Sequence, residues 1–400
     1  MSSAPAFELH LTDAERDLYD RTRALASATL APIAGDGVAG RVNRELVRAL
    51  AEHGLLGRLF AGRSGGGSGG GAGSVSGGGE VTAIELCLIR EALARGCTEA
   101  ETAFALQGLG AHPILQAGGD AVRERWVPRV AAGEAIAAFA LTEPEAGSDP
   151  AALALRAEPD GDGGYRLHGE KLWISNAPDA DVYTVFARTD PGAGGARGLT
   201  AFAIPGDADG LTGEPRELLA PHAIGSLTFD GVPASPDQVL GEPGGGFRVA
   251  MQTLDLFRPS VGAFAIGMAR TALELTIGYV TSRRTFGKPL SEHQAVAHRL
   301  AELRARTEAA RLLVHQAARA HDAGMPDPGL AAMSKLLATE TAQQVVDAAI
   351  QFHGAVALVR GQPLEHLYRD VRAPRIYEGA SEIQREIIAR RMFAEHEGGA

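Results

Sequence analysis

The chain has 400 residues, 45% of them apolar and 22% charged, with a formal net charge of -11. That length exceeds a single ordinary core and asks for two or three domains. The acidic balance argues against a nucleic-acid partner or an anionic membrane surface, and no apolar stretch looks long and uninterrupted enough for membrane insertion. Met1 to Thr12 carries neither a basic segment nor an apolar run, so no secretory signal is expected. Cys87 and Cys97 form no metal-ligand spacing; no metal site is expected, and a cytoplasmic setting is.

From Thr12 to about Ala132 apolar residues recur at spacings of three and four, the period of helices. Thr12 with Glu15 reads as a capping box that starts the first helix, and a second is expected from Val42 to about His53. Arg63 to Gly79 is almost pure Gly and Ser, a loop with nothing to pack. Its matches to GxGxxG (Gly65, Gly67, Gly70) and GxSxG (Gly66, Ser68, Gly70) lack the strand and helix flanks those motifs need and are low complexity. Helical patterning resumes over Ala83 to Arg95. From about Ala137 to Val239 short apolar runs separated by Asp, Gly and Pro turns read as strands, among them Tyr165–His168, Val182–Ala187 and Leu199–Ile204. After Gly244–Gly246 four helical stretches follow, roughly Phe247–Ser282, Glu292–Ala323, Leu330–Phe352 and Glu382–Glu395. The expected fold class is α+β multidomain: an N-terminal α-helical domain (1–135), a middle antiparallel β-barrel or sandwich domain (136–240) and a C-terminal four-helix bundle (241–400).

Four segments carry candidate chemistry. Glu378, in Arg375-Ile376-Tyr377-Glu378-Gly379-Ala380-Ser381, is a carboxylate on a Gly-containing bend ahead of a helix, with Ser381 and Gln384 in capping-box spacing. Such a carboxylate either abstracts a proton from a backbone-fixed direction or simply favours the positive end of the helix. Phe139 to Asp149 brackets a Pro-Gly turn with the Thr142 and Ser148 hydroxyls, either a polar-ligand edge or a surface turn. On Lys171–Asn176, Trp173 and Ser175 lie two apart and share a strand face, with core the ordinary place for a Trp. Arg283 to Lys288 combines cations with Phe286, either a pyrophosphate grip or an exposed helix end.

In their order and spacing these segments closely resemble the acyl-CoA dehydrogenase family, over nearly the whole chain. The resemblance is strongest at Leu141–Asp149, at Arg283–Gln294 (RRTFGKPLSEHQ) and at Leu367–Gln384 (LYRDVRAPRIYEGASEIQ). It implies FAD as cofactor, bound between the middle domain and the bundle. Phe139, Leu141 and Thr142 would meet the flavin edge, Trp173 would lie over the ring and Ser175 would donate to N5. Arg283 and Phe286 would reach the FAD of a neighbouring subunit, and Gln294, Gln351, Gly354 and Ser381 match further cofactor contacts. Ser148, Asp255, Arg258 and Gly379 fall on the substrate side, with the role of Arg258 open between orienting the base or the thioester and serving as a buried structural partner. Glu378 falls on the catalytic base of the short- and medium-chain members. It would take the α-proton of an acyl-CoA while flavin N5 accepts the β-hydride, its own N–H helping a flavin hydroxyl polarise the thioester carbonyl.

The implied assembly is a homo-oligomer, a dimer or tetramer, that passes electrons to an electron-transfer flavoprotein in fatty acid metabolism. Three alternatives stand beside it: a dehydrogenase of thioesters on an acyl-carrier protein in a biosynthetic pathway, a flavin monooxygenase or nitroalkane oxidase-like enzyme, and a non-enzymatic scaffold that has lost the flavin, against which Thr142, Trp173, Ser175, Arg283 and Glu378 together argue. The sequence departs from the family pattern in the Gly/Ser tract, around Pro221–Gly225, and at Ala355, Ala357 and Ala380, where Gly or Thr is usual.

Overall fold

The computed structural model describes residues 10–60 and 81–398, so the Gly/Ser tract lies outside the described residues. Among the described residues seven α-helices come first: α1 (Asp13–Leu25), α2 (Ala31–Gly35), α3 (Arg44–Glu52), α4 (Leu55–Arg58), α5 (Ala83–Gly96), α6 (Thr98–Ala117) and α7 (Asp120–Ala131). Strands β1 (Ala137–Ala140), β2 (Arg156–Pro159), β3 (Tyr165–Ser175), β4 (Val182–Arg188), β5 (Leu199–Pro205), β6 (Leu211–Pro215), β7 (Ile224–Ala234) and β8 (Val239–Leu240) follow. The chain then forms α8 (Gly246–Ser282), a small hairpin β9 (Arg284–Thr285) and β10 (Lys288–Pro289), α9 (Gln294–Asp322), α10 (Pro328–His353), α11 (Pro363–Asp370) and α12 (Ser381–Gly398). The capping box that starts α1 is formed, Glu15 N–H donating to Thr12 Oγ1 at 3.3 Å and Thr12 N–H to Glu15 Oε2 at 2.9 Å. Asn43 caps α3 through Leu46 N–H, which sets its start a residue or so past Val42.

The described residues fall into two compact units. The helical unit holds the described parts of Met1–Ala31, Thr82–Glu101 and Asp255–Ala400. At its centre the fully buried carboxylate of Glu91, on α5, accepts from Arg270 Nη1 of α8 at 2.6 Å, Arg311 Nε of α9 at 2.9 Å and the Tyr19 hydroxyl of α1 at 3.0 Å. Four helices are thereby tied to one side chain. α8 crosses α5 at Gly267, where a Cβ would sit 2.5 Å from the Glu91 carbonyl oxygen, so the close approach requires glycine.

The sheet unit, Pro32–Val81 and Thr102–Leu254, has its described strands in one mixed sheet of order β6-β7-β3-β2-β4-β5-β8, with β1 beside β4. Most pairings are antiparallel, as expected, but β1 and β2 run parallel to β4. β4 and β5 are buried almost throughout, which is why they read as unbroken apolar runs rather than as alternation. β3 extends well past the expected His168 to Ser175 because β7 pairs along it.

α8 corrects one expectation. By length and composition it is apolar enough to cross a membrane, yet 67% of the apolar window is buried inside the fold. Arg258 and Pro259 interrupt the apolar run, while packing on most sides of the helix calls for small apolar residues around them.

Candidate active site

In the helical unit the chain bends once between the short turn Ala373–Arg375 and α12, with Glu378 at φ +51° and Gly379 at φ +89°. Left-handed backbone costs a side-chain-bearing residue about 1–2 kcal/mol, so the surroundings must impose it. They do so through the carbonyls. Lys335 Nζ, buried on α10, donates to Tyr377 O at 2.6 Å and also to Gly379 O. Gln384 Nε2 reaches back to Gly379 O at 2.9 Å, close enough that a Cβ on residue 379 would collide with it. The expected capping box between Ser381 and Gln384 does not form. Instead Gln384 is spent on this carbonyl, and the buried Ser381 hydroxyl donates to Glu340 Oε1 at 2.7 Å, where Arg375 also binds Oε2 at 2.9 Å.

Glu378 is half-buried as a residue, but its Oε2 is shielded and has no hydrogen-bond partner. Burial raises its carboxyl above the ordinary carboxylate range, with the charges of Arg90, Lys335 and Arg258 pulling against it. Arg90 is itself occupied, Nε with Glu101 at 2.5 Å and Nη1 with Ser260 at 2.6 Å. Arg258 bonds Asp255 at 3.0 Å while its Nε is buried and unpartnered. The structure thus brings Glu378, Gly379, Ser381 and the Arg258–Asp255 pair to one neighbourhood. Gln384, expected only as a cap, belongs there too. So do Lys335, Arg90 and Glu101, which escaped the sequence reading because separations of forty residues and more give no periodic signal.

The sheet unit gathers the second group. Leu172 N–H donates to Thr142 O at 3.0 Å, and buried Lys171 binds Leu141 O at 2.9 Å and Glu143 Oε1 at 2.8 Å. Glu143 also accepts from Leu155 N–H at 3.0 Å, so the Leu141–Glu143 corner is fixed from both flanks. Phe139 is half-buried against Phe186, their ring centroids 5.0 Å apart. A bulge between Lys171 and Ile174 shifts the strand phase, Lys171 and Ile174 both pointing inward. Trp173, at φ +59°, is therefore 52% exposed rather than core. The Ser175 hydroxyl bonds His222 Nε2 at 2.8 Å, a partner supplied by the segment that departs from the family pattern. Ser148 is exposed in the turn beyond.

A third group lies elsewhere in the helical unit. Arg283 is exposed, and Phe286, at φ +51°, stands 96% exposed at the tip of the β9–β10 hairpin just before Gln294. Tyr279 stacks on His353 with centroids 4.2 Å apart, bringing the exposed Gln351 and Gly354 to the same end. Lys335, beside the Glu378 bend, and His353 are eighteen residues apart on α10, a span of roughly 27 Å along a helix. The third group therefore does not share the surroundings of Glu378. Of the four non-glycine residues with positive φ among the described residues, Trp173, Asn176, Phe286 and Glu378, three are candidate site residues. Backbone strain of this kind collects where function needs it.

Residues 12–134, 138–232 and 244–393 match the N-terminal, middle and C-terminal domains of acyl-CoA dehydrogenase in turn. The chain belongs to the acyl-CoA dehydrogenase family. It is 36% identical to the probable acyl-CoA dehydrogenase FadE25 of Mycobacterium tuberculosis over 97% of this chain and 98% of that one. Among solved structures, butyryl-CoA dehydrogenase from Megasphaera elsdenii matches with a TM-score of 0.86 and 32% identity, over 96% of this chain and 99% of that one. The structure of PigA with FAD and proline matches with a TM-score of 0.86 and 28% identity, over 96% of this chain and 98% of that one.

Proposed function

We propose that this acyl-CoA dehydrogenase family member removes two hydrogens from adjacent carbons of an acyl-CoA, giving the trans-2-enoyl thioester, with Glu378 as the base. Glu378 takes the α-proton, the electrons of that C–H bond become the new π bond, and the β-hydrogen leaves with its electron pair. Bound FAD supplies the two-electron acceptor for that hydride. The Glu378 N–H, which makes no hydrogen bond among the described residues, is the donor we assign to the thioester oxygen as it gains charge. The observation that carries this reading is the base itself: a carboxylate with a shielded, unpartnered oxygen, raised by burial and aimed by a strained bend.

The residues present fit a flavin. An exposed indole held in left-handed backbone offers a face for a planar ring, and Thr142 and Ser175 place hydroxyls on the neighbouring corner and strand. Phe139 and Leu141 complete that wall; Ser148 and Gly379 remain assigned to substrate. The separate position of Arg283, Phe286, Gln294, Gln351 and Gly354 supports their service to the cofactor of another copy, in a cytoplasmic homotetramer or dimer. Electrons then pass to an electron-transfer flavoprotein. Arg283→Ala is expected to weaken FAD retention about ten- to a hundredfold, the worth of a charge-assisted bond, with little change in melting of the apoprotein. Equilibrium dialysis checks this, and unaltered FAD binding would remove Arg283 from the cofactor site.

The test of the function is the visible spectrum of the FAD-loaded protein during anaerobic addition of acyl-CoAs of graded length. Bleaching of the flavin band with formation of enoyl-CoA is expected. A flavin that stays oxidised with every acyl-CoA defeats the proposal.

A further inference from the structure

The peptide joining Tyr377 to Glu378 is trans, so the Tyr377 carbonyl and the Glu378 N–H point in opposite directions. Lys335 Nζ donates to that carbonyl at 2.6 Å, and no other donor reaches it among the described residues. The Gly379 carbonyl is different, because Gln384 holds it at 2.9 Å in addition to Lys335. Lys335 thus has one task that Gln384 does not share: it fixes the rotation of the peptide whose other end is the Glu378 N–H. It also acts electronically. A cation on an amide oxygen draws density out of the amide and strengthens the N–H on the far side, and a low-dielectric interior enlarges the effect. The lysine is 1% exposed, and burial pulls its ammonium down to about 8, with the Glu378 charge opposing.

We propose that Lys335 is a positioning residue for the dehydrogenation, aiming and polarising the Glu378 N–H so that it binds the thioester oxygen more strongly as that oxygen becomes anionic. This rests on the reading of the Glu378 bend as the site of α-proton abstraction. A lysine that merely held the bend together would matter equally to resting protein, bound substrate and enolate. One that polarises the N–H matters most to the enolate.

The distinguishing probe is acetoacetyl-CoA, whose α-carbon ionises to an enolate visible in the near ultraviolet. Its ionisation while bound is an equilibrium that needs no identified base. FAD-loaded wild type, Lys335→Met and Lys335→Arg are each titrated with pH in its presence. The Met variant is expected to raise the pKa of the bound ligand by about one unit, a tenfold weaker ionisation. It should lower kcat at least as much while KM stays within about threefold, the signature of a contact made in the transition state. The Arg variant, which keeps charge and donors, should recover most of the loss. Weaker FAD retention and a lower Tm with an unchanged bound-ligand pKa would reduce Lys335 to a structural brace and overturn the proposal. If the Met variant does not fold, Lys335→Gln, which keeps an N–H donor without the charge, carries the same comparison. An active Glu378→Gln variant beside a shifted Lys335→Met would sink the base and leave this inference standing. The reverse pattern would sink this inference alone.

Discussion

Glu378→Gln is expected to slow flavin bleaching by acyl-CoA about 10⁴-fold, the upper end for loss of a general base, while FAD stays bound. Glutamine has the same shape but cannot accept the proton. Oε2 of Glu378 has no hydrogen bond to lose, and the bend is held through carbonyl oxygens by Lys335 and Gln384, so neither support is touched. The pH profile gives an independent check. Burial raises the Glu378 carboxyl, and only its ionised form works, so the wild-type rate should fall with acid through an apparent pKa above the ordinary carboxylate range. Stability should move the other way. A carboxyl raised in the fold is a liability once the pH exceeds both its folded and unfolded values, so the Gln variant is expected to melt no lower than wild type. Stopped-flow reduction in which the variant retained more than about a tenth of the rate would remove Glu378 as the base.

Glu91→Ala should destabilise the helical unit by about 3–5 kcal/mol, because removing one partner of a buried ion cluster leaves the others uncompensated. Arg311 and Arg270 both bond this carboxylate, and Tyr19 donates to it from α1. Burial alone would raise Glu91, but Arg311 and Arg270 overcome it and hold the carboxyl well below its usual value. The sign follows for pH. A depressed folded pKa means the stabilisation is complete above the unfolded carboxylate value and is lost as the pH falls towards the folded one. Wild type should therefore lose stability in acid below about pH 4.5, and Glu91→Ala should lack that share of the dependence. Urea unfolding at neutral and acid pH measures both. A loss under 1 kcal/mol at neutral pH would mean that the guanidiniums find other partners on relaxation.

The order of elements was legible because it rests on local rules. Helix period, the Thr12 capping box and the Gly-rich breaks before α8 depend on residues a few positions apart. β4 and β5 were legible for the same reason, since burial on both faces leaves an unbroken apolar run. Where two distant segments had to cooperate, local rules misled. Ser381 and Gln384 have capping-box spacing, yet Glu340 captures the hydroxyl and the Gly379 carbonyl captures the amide. Trp173 reads as core, and a bulge of β3 against β7 turns it outward.

By itself the sequence determined the family, the element order and the identity of the candidate base, all encoded in contiguous motifs. Only the tertiary structure decided what surrounds that base. The Glu378 carboxylate answers to Arg90, Lys335 and Arg258 from three other helices, and its bend is held by a lysine forty-three positions earlier in the chain. Electrostatic energy depends on distance through the folded interior, and no spacing along the chain records it.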